Sequence, residues 1–176
     1  MQISEAAAML RCPYIEDYTQ PVRWADLGCG NGVFTQALAT LLPAQSTIYA
    51  VDKTPGFDST VLGQWSMEVH FQQQDFITDT LTLPPLDGLL MANALHYVRD
   101  QPAFLEKILG YTRPGAALLF VEYDTHIPVE PWVPYPVSFT RLATLFRELG
   151  FDQVALLAER PSLYRRDRLY SALIQT

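Results

Sequence analysis

The chain has 176 residues, 49% hydrophobic and 18% charged; this suits one globular domain burying roughly 70% of its unfolded surface and excludes a disordered, fibrous or ordinary two-domain protein. Twelve Lys and Arg against nineteen Asp and Glu give a net charge of −7 and a pI near 4.8, which argues against a sequence-independent grip on nucleic acid or anionic lipid without excluding a local basic patch. Apolar runs such as "GAALLFV" (115–121) are too short to span a membrane, no basic residue precedes the apolar stretch of "MQISEAAAMLRC", and Cys12 and Cys29 alone build no disulfide framework, so a cytoplasmic protein is expected.

In residues 1–20, Ser4 stands before an Ala-rich stretch and predicts a helical segment laid over one mouth of a sheet. Beyond it, short β-branched apolar runs alternate with segments of helical period, the pattern of βαβ units and a mostly parallel sheet. "VRWADL" (22–27) is the first strand and runs into "GCGNG" (28–32). Phe34, Leu38, Leu41 and Leu42 then make one apolar helical face that stops at Pro43. "TIYAVD" (47–52) and "EVHFQQQD" (68–75) are the next strands; between them, 54–66 with Pro55, Gly56 and Gly63 is a poor helix, and His70, alternating with Val69 and Phe71, reads as structural.

"DGLLMAN" (87–93) and "AALLFVEYD" (116–124) follow as strands, separated by a helix whose face is Phe104, Leu105, Ile108 and Leu109. From 138 to 149, Phe139, Leu142, Leu145, Phe146 and Leu149 predict another helix, with Ser138 as N-cap and Gly150 as stop. "QVALLAE" (153–159) and "RLYSALIQ" (168–175) are separated by about eight residues, too few for a crossover helix, and predict an antiparallel pair. Residues 1–176 thus form a single expected domain.

A glycine turn between strand and helix lets a ligand lie against the backbone, and its N–H groups with the helix N-terminus favour anionic groups, which suits several nucleotide-like cofactors. The dinucleotide fingerprint G-x-G-x-x-G needs a glycine where this chain has Val33; the spacing is instead G-x-G-x-G, at Gly28, Gly30 and Gly32. Asp26, just before the turn, would repel a pyrophosphate and favour a ligand bearing an amine and a sulfonium. Asp52, ending the second strand, stands where an acid accepts from ribose hydroxyls. After the third strand, Asp75 offers a carboxylate to an adenine amine beside the ring of Phe76.

"DLGCGNG" (26–32), "AVD" (50–52), "QDF" (74–76), "DGLLMANALHYV" (87–98) and "LGYTRPGAALLFVEYD" (109–124), in this order and spacing, resemble the class I S-adenosylmethionine-dependent methyltransferases. The resemblance implies an α/β, three-layer Rossmann-like methyltransferase fold: a seven-stranded, mostly parallel sheet with the last strand antiparallel, helices on both faces, and the cofactor across the carboxyl ends of the first strands. It implies S-adenosylmethionine as cofactor and S-adenosylhomocysteine as product. By position, the turn of Gly28, Cys29, Gly30, Asn31 and Gly32 with Asp26 would hold the methionine part, Asp52 with Lys53 the ribose, and Asp75 with Phe76 the adenine, while Asn93 ends the fourth strand beside them. Cys29 reads as a small turn residue rather than a nucleophile.

In that family the acceptor enters over the fourth strand end, which makes His96 a candidate base for a hydroxyl or a protonated amine; the alternative is that it packs on the cofactor or caps the following turn. Glu122 either orients a substrate amine or anchors the loop after it, and His126 is a further candidate. "YDTHIPVEPWVPYPVSF" (123–139) combines four prolines with Trp132 and Tyr135. Its residues 124–137 read as either the substrate-side wall or a packing belt over the sheet edge, with Tyr97, Tyr14 and Trp65 as candidates to complete the wall. "RPSLYRRDR" (160–168) is either a solvated hairpin turn or a patch meeting an acidic substrate.

"NALH" (93–96) departs from the N-P-P-Y motif of enzymes that methylate exocyclic base amines or glutamine side chains, neither cysteine is placed for C5 pyrimidine chemistry, and no cluster has metal-ligand spacing. The reading is methyl transfer to O or N of a small-molecule acceptor, with no nucleic acid, membrane or metal expected. The alternatives are a protein or RNA acceptor, or a non-catalytic sensor or partner subunit that binds the cofactor or its product. A nicotinamide oxidoreductase is disfavoured by Val33 and Asp26.

Overall fold

The computed structural model describes residues 1–56, 67–161 and 168–176. Its strands are β1 (Arg23–Leu27), β2 (Thr47–Asp52), β3 (Glu68–Gln73), β4 (Leu86–Ala92), β5 (Thr112–Tyr123), β6 (Val154–Pro161) and β7 (Arg168–Gln175), and its helices α1 (Ile3–Leu10), α2 (Pro13–Glu16), α3 (Val33–Ala39), α4 (Gln101–Leu109) and α5 (Phe139–Glu148). The strands form one sheet in the order β3-β2-β1-β4-β5-β7-β6. β1 pairs in parallel with β2 and β4, β2 with β3, and β4 with β5, whereas β7 is antiparallel to both β5 and β6. This is the seven-stranded arrangement the resemblance implies. Strand order reverses between β1 and β4, the point at which such sheets open a crevice at their carboxyl ends.

Both faces of the sheet are covered, which is why its central strands are nearly continuous apolar runs. On one face, Phe104, Leu105 and Ile108 of α4 and Leu142, Leu145 and Phe146 of α5 pack with Leu89, Met91, Leu118 and Phe120. On the other, Ala6 and Leu10 of α1, Ile15 of α2 and Ala37 and Leu38 of α3 pack with Trp24, Ile48, Leu90 and Leu119. The indole of Trp24 occupies the space a side chain on Gly88 would need: a Cβ there would lie 2.2 Å from Cε2.

Local signals set several boundaries. Ser138 accepts from the Arg141 N–H at 3.2 Å and caps α5, and Asp100 accepts from the Ala103 N–H to cap α4. α1, however, starts at Ile3 with Gln2 as its N-cap, not Ser4, because the Gln2 N–H reaches the Glu5 carboxylate at 2.8 Å. Of the first twenty residues, Met1 alone lines one of the cavities at the carboxyl ends of the strands. α1 lies along the sheet face against α3, and the Tyr14 and Tyr18 hydroxyls bond the carbonyls of Gly115 and Asp87 near the amino ends of β5 and β4. Tyr14 is therefore at the opposite end of the sheet from the crevice. Trp65, most of the 54–66 segment and the turn of the β6–β7 hairpin lie outside the described residues. No helix among the described residues is long and apolar enough to cross a membrane.

Candidate active site

After β1 the chain turns through Gly28 (φ 81°), Gly30 (φ 53°) and Gly32 (φ 81°), left-handed values that glycine adopts without a Cβ penalty. A Cβ on Gly28 would fall 2.6 Å from Ala94 Cβ and 3.2 Å from the Phe76 ring, so the backbone here is pressed between two other strand ends. The Gly28 and Cys29 N–H groups donate to the Val51 carbonyl at 2.8 and 3.1 Å, joining the turn to β2. Asp52 extends that link: its Oδ2 accepts the Gly30 N–H and its Oδ1 the Thr54 N–H, both at 2.8 Å. A carboxylate has about four lone-pair positions, so Asp52 keeps the capacity to take two further hydroxyl donors.

Three adjoining cavities open at this end of the sheet, and Asn93 and Tyr97 border every one of them. The first, about 410 Å³, is lined by Gly28, Cys29, Gly30, Asn31 and Asp52, with Met1 and Arg160 at its edge. The second, about 330 Å³, runs past Asp52 to Lys53, Asp75, Phe76 and Ala94. The third, about 540 Å³, is walled by His96, Tyr123, Val129, Trp132 and Val133. At their junction Asn93 has a left-handed backbone (φ 53°), which Asn tolerates better than most residues, and a buried Oδ1 with no protein partner. A buried orphan acceptor of this kind calls for a donor from a ligand.

Phe76 packs edge-on against Phe104, and Lys107 Nζ donates to the carbonyls of Phe76, Ile77 and Asp79 at 3.1, 3.1 and 2.6 Å, pinning the loop after β3 from below. Asp75 Oδ1 accepts the Ile77 N–H at 3.0 Å, an Asx-type turn. Asp26 lies behind the glycine turn, not at its mouth. It is fully buried, with Oδ2 accepting the Thr35 hydroxyl at 2.6 Å and Oδ1 unpartnered, and it lines none of the three cavities. Burial first, with the neighbouring Asp52 charge adding, pushes its carboxyl up to about 7, against the Thr35 hydrogen bond that lowers it. Burial likewise pushes the Cys29 thiol up, in keeping with a turn residue.

On the third cavity the structure joins two candidates that sequence kept apart. Glu122 ends its apolar strand facing His96: Oε2 is 2.6 Å from Nδ1, and Oε1 accepts the Leu95 and His96 N–H groups at 2.8 and 3.2 Å. Both residues are 1% exposed, and His96 Nε2 has no protein partner. Glu122 does not itself line the cavity; it neither meets a substrate amine there nor anchors the proline loop, because its oxygens are committed to the turn Leu95–Tyr97. The loop is held elsewhere: the Tyr135 N–H donates to the His96 carbonyl, Gln101 Nε2 to the Tyr135 carbonyl, and the Tyr170 hydroxyl to the Val137 carbonyl. Its tip is a small bridge between Val129 and Val133.

Trp132 walls the cavity although it is 70% exposed, whereas Tyr135 contributes its backbone and not its side chain, and His126 is exposed outside the cavities. Val129 and Val133 on this wall lie within the 124–137 segment that the sequence offered as a substrate-side wall, though not singled out there, whereas Ala94 against Gly28 and Lys107 under the loop after β3 carried no signal in the sequence. Among the described residues no group of His, Cys, Asp or Glu is placed to hold a metal ion.

Residues 25–118 match the family model of a methyltransferase domain. The chain is 29% identical over 138 residues to trans-aconitate 2-methyltransferase of Mycolicibacterium gilvum, covering 78% of this chain and 52% of that protein. It is 26% identical over 164 residues to O-methyltransferase cnsE of Penicillium expansum, covering 82% and 57%. It thus spans a little over half the length of these curated relatives. In fold it is similar to the Burkholderia thailandensis 1,6-didemethyltoxoflavin-N1-methyltransferase, solved with its acceptor and S-adenosylhomocysteine, at a TM-score of 0.76 and 19% identity over 99% of this chain and 77% of that one.

Proposed function

We propose, from the premise that this chain belongs to the methyltransferase domain family, that it moves a methyl group from S-adenosylmethionine to an oxygen or nitrogen of a small molecule. The observation that carries the reading is the junction at Asn93 and Tyr97, where a carboxylate-bordered groove along the glycine turn meets a largely apolar chamber with a buried, unpartnered imidazole nitrogen. The relatives' named acceptors, trans-aconitate and 1,6-didemethyltoxoflavin, are small molecules and support that class.

The donor set fits the cofactor. The cavity along Gly28–Asn31, open above Gly30, would take the methionine chain, and the orphaned Asn93 Oδ1 would accept from a ligand N–H. Asp52 would take the ribose hydroxyls with Lys53 beside it, and Asp75 and Phe76 would receive the adenine. Asp26 would support the turn from behind, its Oδ2 tied to the Thr35 hydroxyl of the helix that follows. S-adenosylmethionine supplies an already activated methyl, so what the protein adds is alignment, exclusion of water and, where needed, removal of a proton. His96 would take that last task at its unpartnered Nε2.

Calorimetry with S-adenosylhomocysteine and with NAD tests the cofactor: binding is expected for the first, and tight binding of NAD alone would overturn the reading. A methyl-transfer assay against a metabolite extract, read by S-adenosylhomocysteine release, tests the activity. Persistent silence from a protein that binds the cofactor would move it to the sensor class.

A further inference from the structure

We propose that Glu122 is a positioning residue that fixes the tautomer of His96, and that His96 so held takes the proton of a neutral, weakly acidic hydroxyl on an aromatic or enolic acceptor. This rests on the methyl-transfer reading and narrows it to an acceptor class.

Three donors converge on the Glu122 carboxylate: the Leu95 and His96 N–H groups on Oε1, and the imidazole Nδ1 on Oε2. A carboxylate in its ionised form only accepts, so the proton between Oε2 and Nδ1 belongs to the ring. Neutral His96 then carries its lone pair on Nε2, the buried, unpartnered nitrogen of a residue that lines the 540 Å³ cavity. The Tyr97 and Tyr123 rings, with centroids 4.4 and 6.2 Å from the imidazole, flank it and restrict its rotation.

The rest of that wall selects the acceptor. Among the described residues that line it there is neither a cation to meet a carboxylate substrate nor an acid to meet a protonated amine, Glu122 being shut off behind the imidazole. Tyr97, Tyr123, Trp132, Val129 and Val133 instead offer apolar and aromatic surface to a planar body. A neutral hydroxyl needs no counterion on entry. As its O–H bond breaks, the electron pair stays on oxygen, the proton forms Nε2–H, and Glu122 faces the resulting imidazolium across Nδ1. The proton passes to water once the methylated product has left.

The test is ¹⁵N NMR of the histidine rings in the full chain above neutral pH, with His96→Gln assigning the His96 signals, alongside turnover of matched neutral phenols, carboxylates and amines. In the wild type, His96 is expected as the Nδ1–H tautomer. In Glu122→Gln the amide oxygen must serve the two backbone N–H groups, which turns its NH₂ toward Nδ1 and inverts the tautomer; turnover of the phenol should fall by about 10²–10⁴ with S-adenosylhomocysteine affinity unchanged. A wild-type Nε2–H tautomer, or Glu122→Gln with native tautomer and rate, overturns the positioning role. Turnover confined to carboxylates or amines overturns the acceptor class and leaves methyl transfer standing, whereas a chain that binds neither S-adenosylmethionine nor S-adenosylhomocysteine overturns the methyl-transfer reading beneath both. If Glu122→Gln fails to fold, the wild-type tautomer and the acceptor panel decide.

Discussion

Asp26 shows how a single buried carboxyl ties the site to stability. Its folded value of about 7 lies above the ordinary aspartate range near 3.9, so the folded chain holds a proton that the unfolded chain releases. Its contribution is therefore fully present below about pH 4, declines as pH rises, and is lost above about pH 7, a span of about 4 kcal/mol at three pK units. Asp26→Asn keeps an acceptor for the Thr35 hydroxyl and removes the titration. Urea midpoints at pH 5 and pH 8 should show wild type losing stability relative to the variant as pH rises, and parallel curves would refute the assignment. Asp52 stands instead at the cavity edge, bonded to two backbone N–H groups. Asp52→Ala should weaken S-adenosylhomocysteine binding by about 10- to 100-fold, the loss of one or two hydrogen bonds to a charged group, as measured by calorimetry; unchanged affinity would remove Asp52 from the ribose role.

Between elements, packing leaves almost no slack where strands β1 and β4 meet. Gly88→Ala would drive a methyl into the Trp24 indole, costing about 1–3 kcal/mol for overpacking and lowering the thermal midpoint by roughly 3–10 °C. A midpoint within error of wild type would mean that the indole relocates freely. The sequence makes β2 and β7 legible to the residue because apolar runs with sharp polar ends admit one register. β5 starts at Thr112, ahead of the apolar run, because Thr112 pairs with Leu86 of β4 and the Gly115 N–H then reaches the Thr176 carbonyl, pairings no local pattern reveals. The His96–Glu122 pair was half legible: an acid inside "LLFVEYD" cannot be buried without a partner, but which partner follows only from β4 lying beside β5. The Asn93 N–H bonding the Val121 carbonyl at 2.7 Å is what brings the two strand ends level.

For the molecule as a whole, the turn, Asp52, the loop after β3 and Asn93 lie at the carboxyl ends of neighbouring strands in a single sheet with a core on each face. Ligand binding there should therefore be felt globally: S-adenosylhomocysteine at 100 times its dissociation constant should add about 2.7 kcal/mol to stability and raise the thermal midpoint, while NAD at the same concentration leaves it unmoved. A midpoint indifferent to S-adenosylhomocysteine would contradict the cofactor reading. The loop after β5 stands apart from this arrangement. Its flanks are tied to His96, Gln101 and Tyr170, and to Asp124, whose carboxylate accepts the Phe139 N–H, while Val129, Trp132 and Val133 at its tip wall the third cavity and line neither of the other two. Substitutions, insertions or deletions between those moorings change the chamber without disturbing the glycine turn. That separation makes the tip the segment along which descendants of one ancestor can diverge in acceptor while inheriting the same methyl donor.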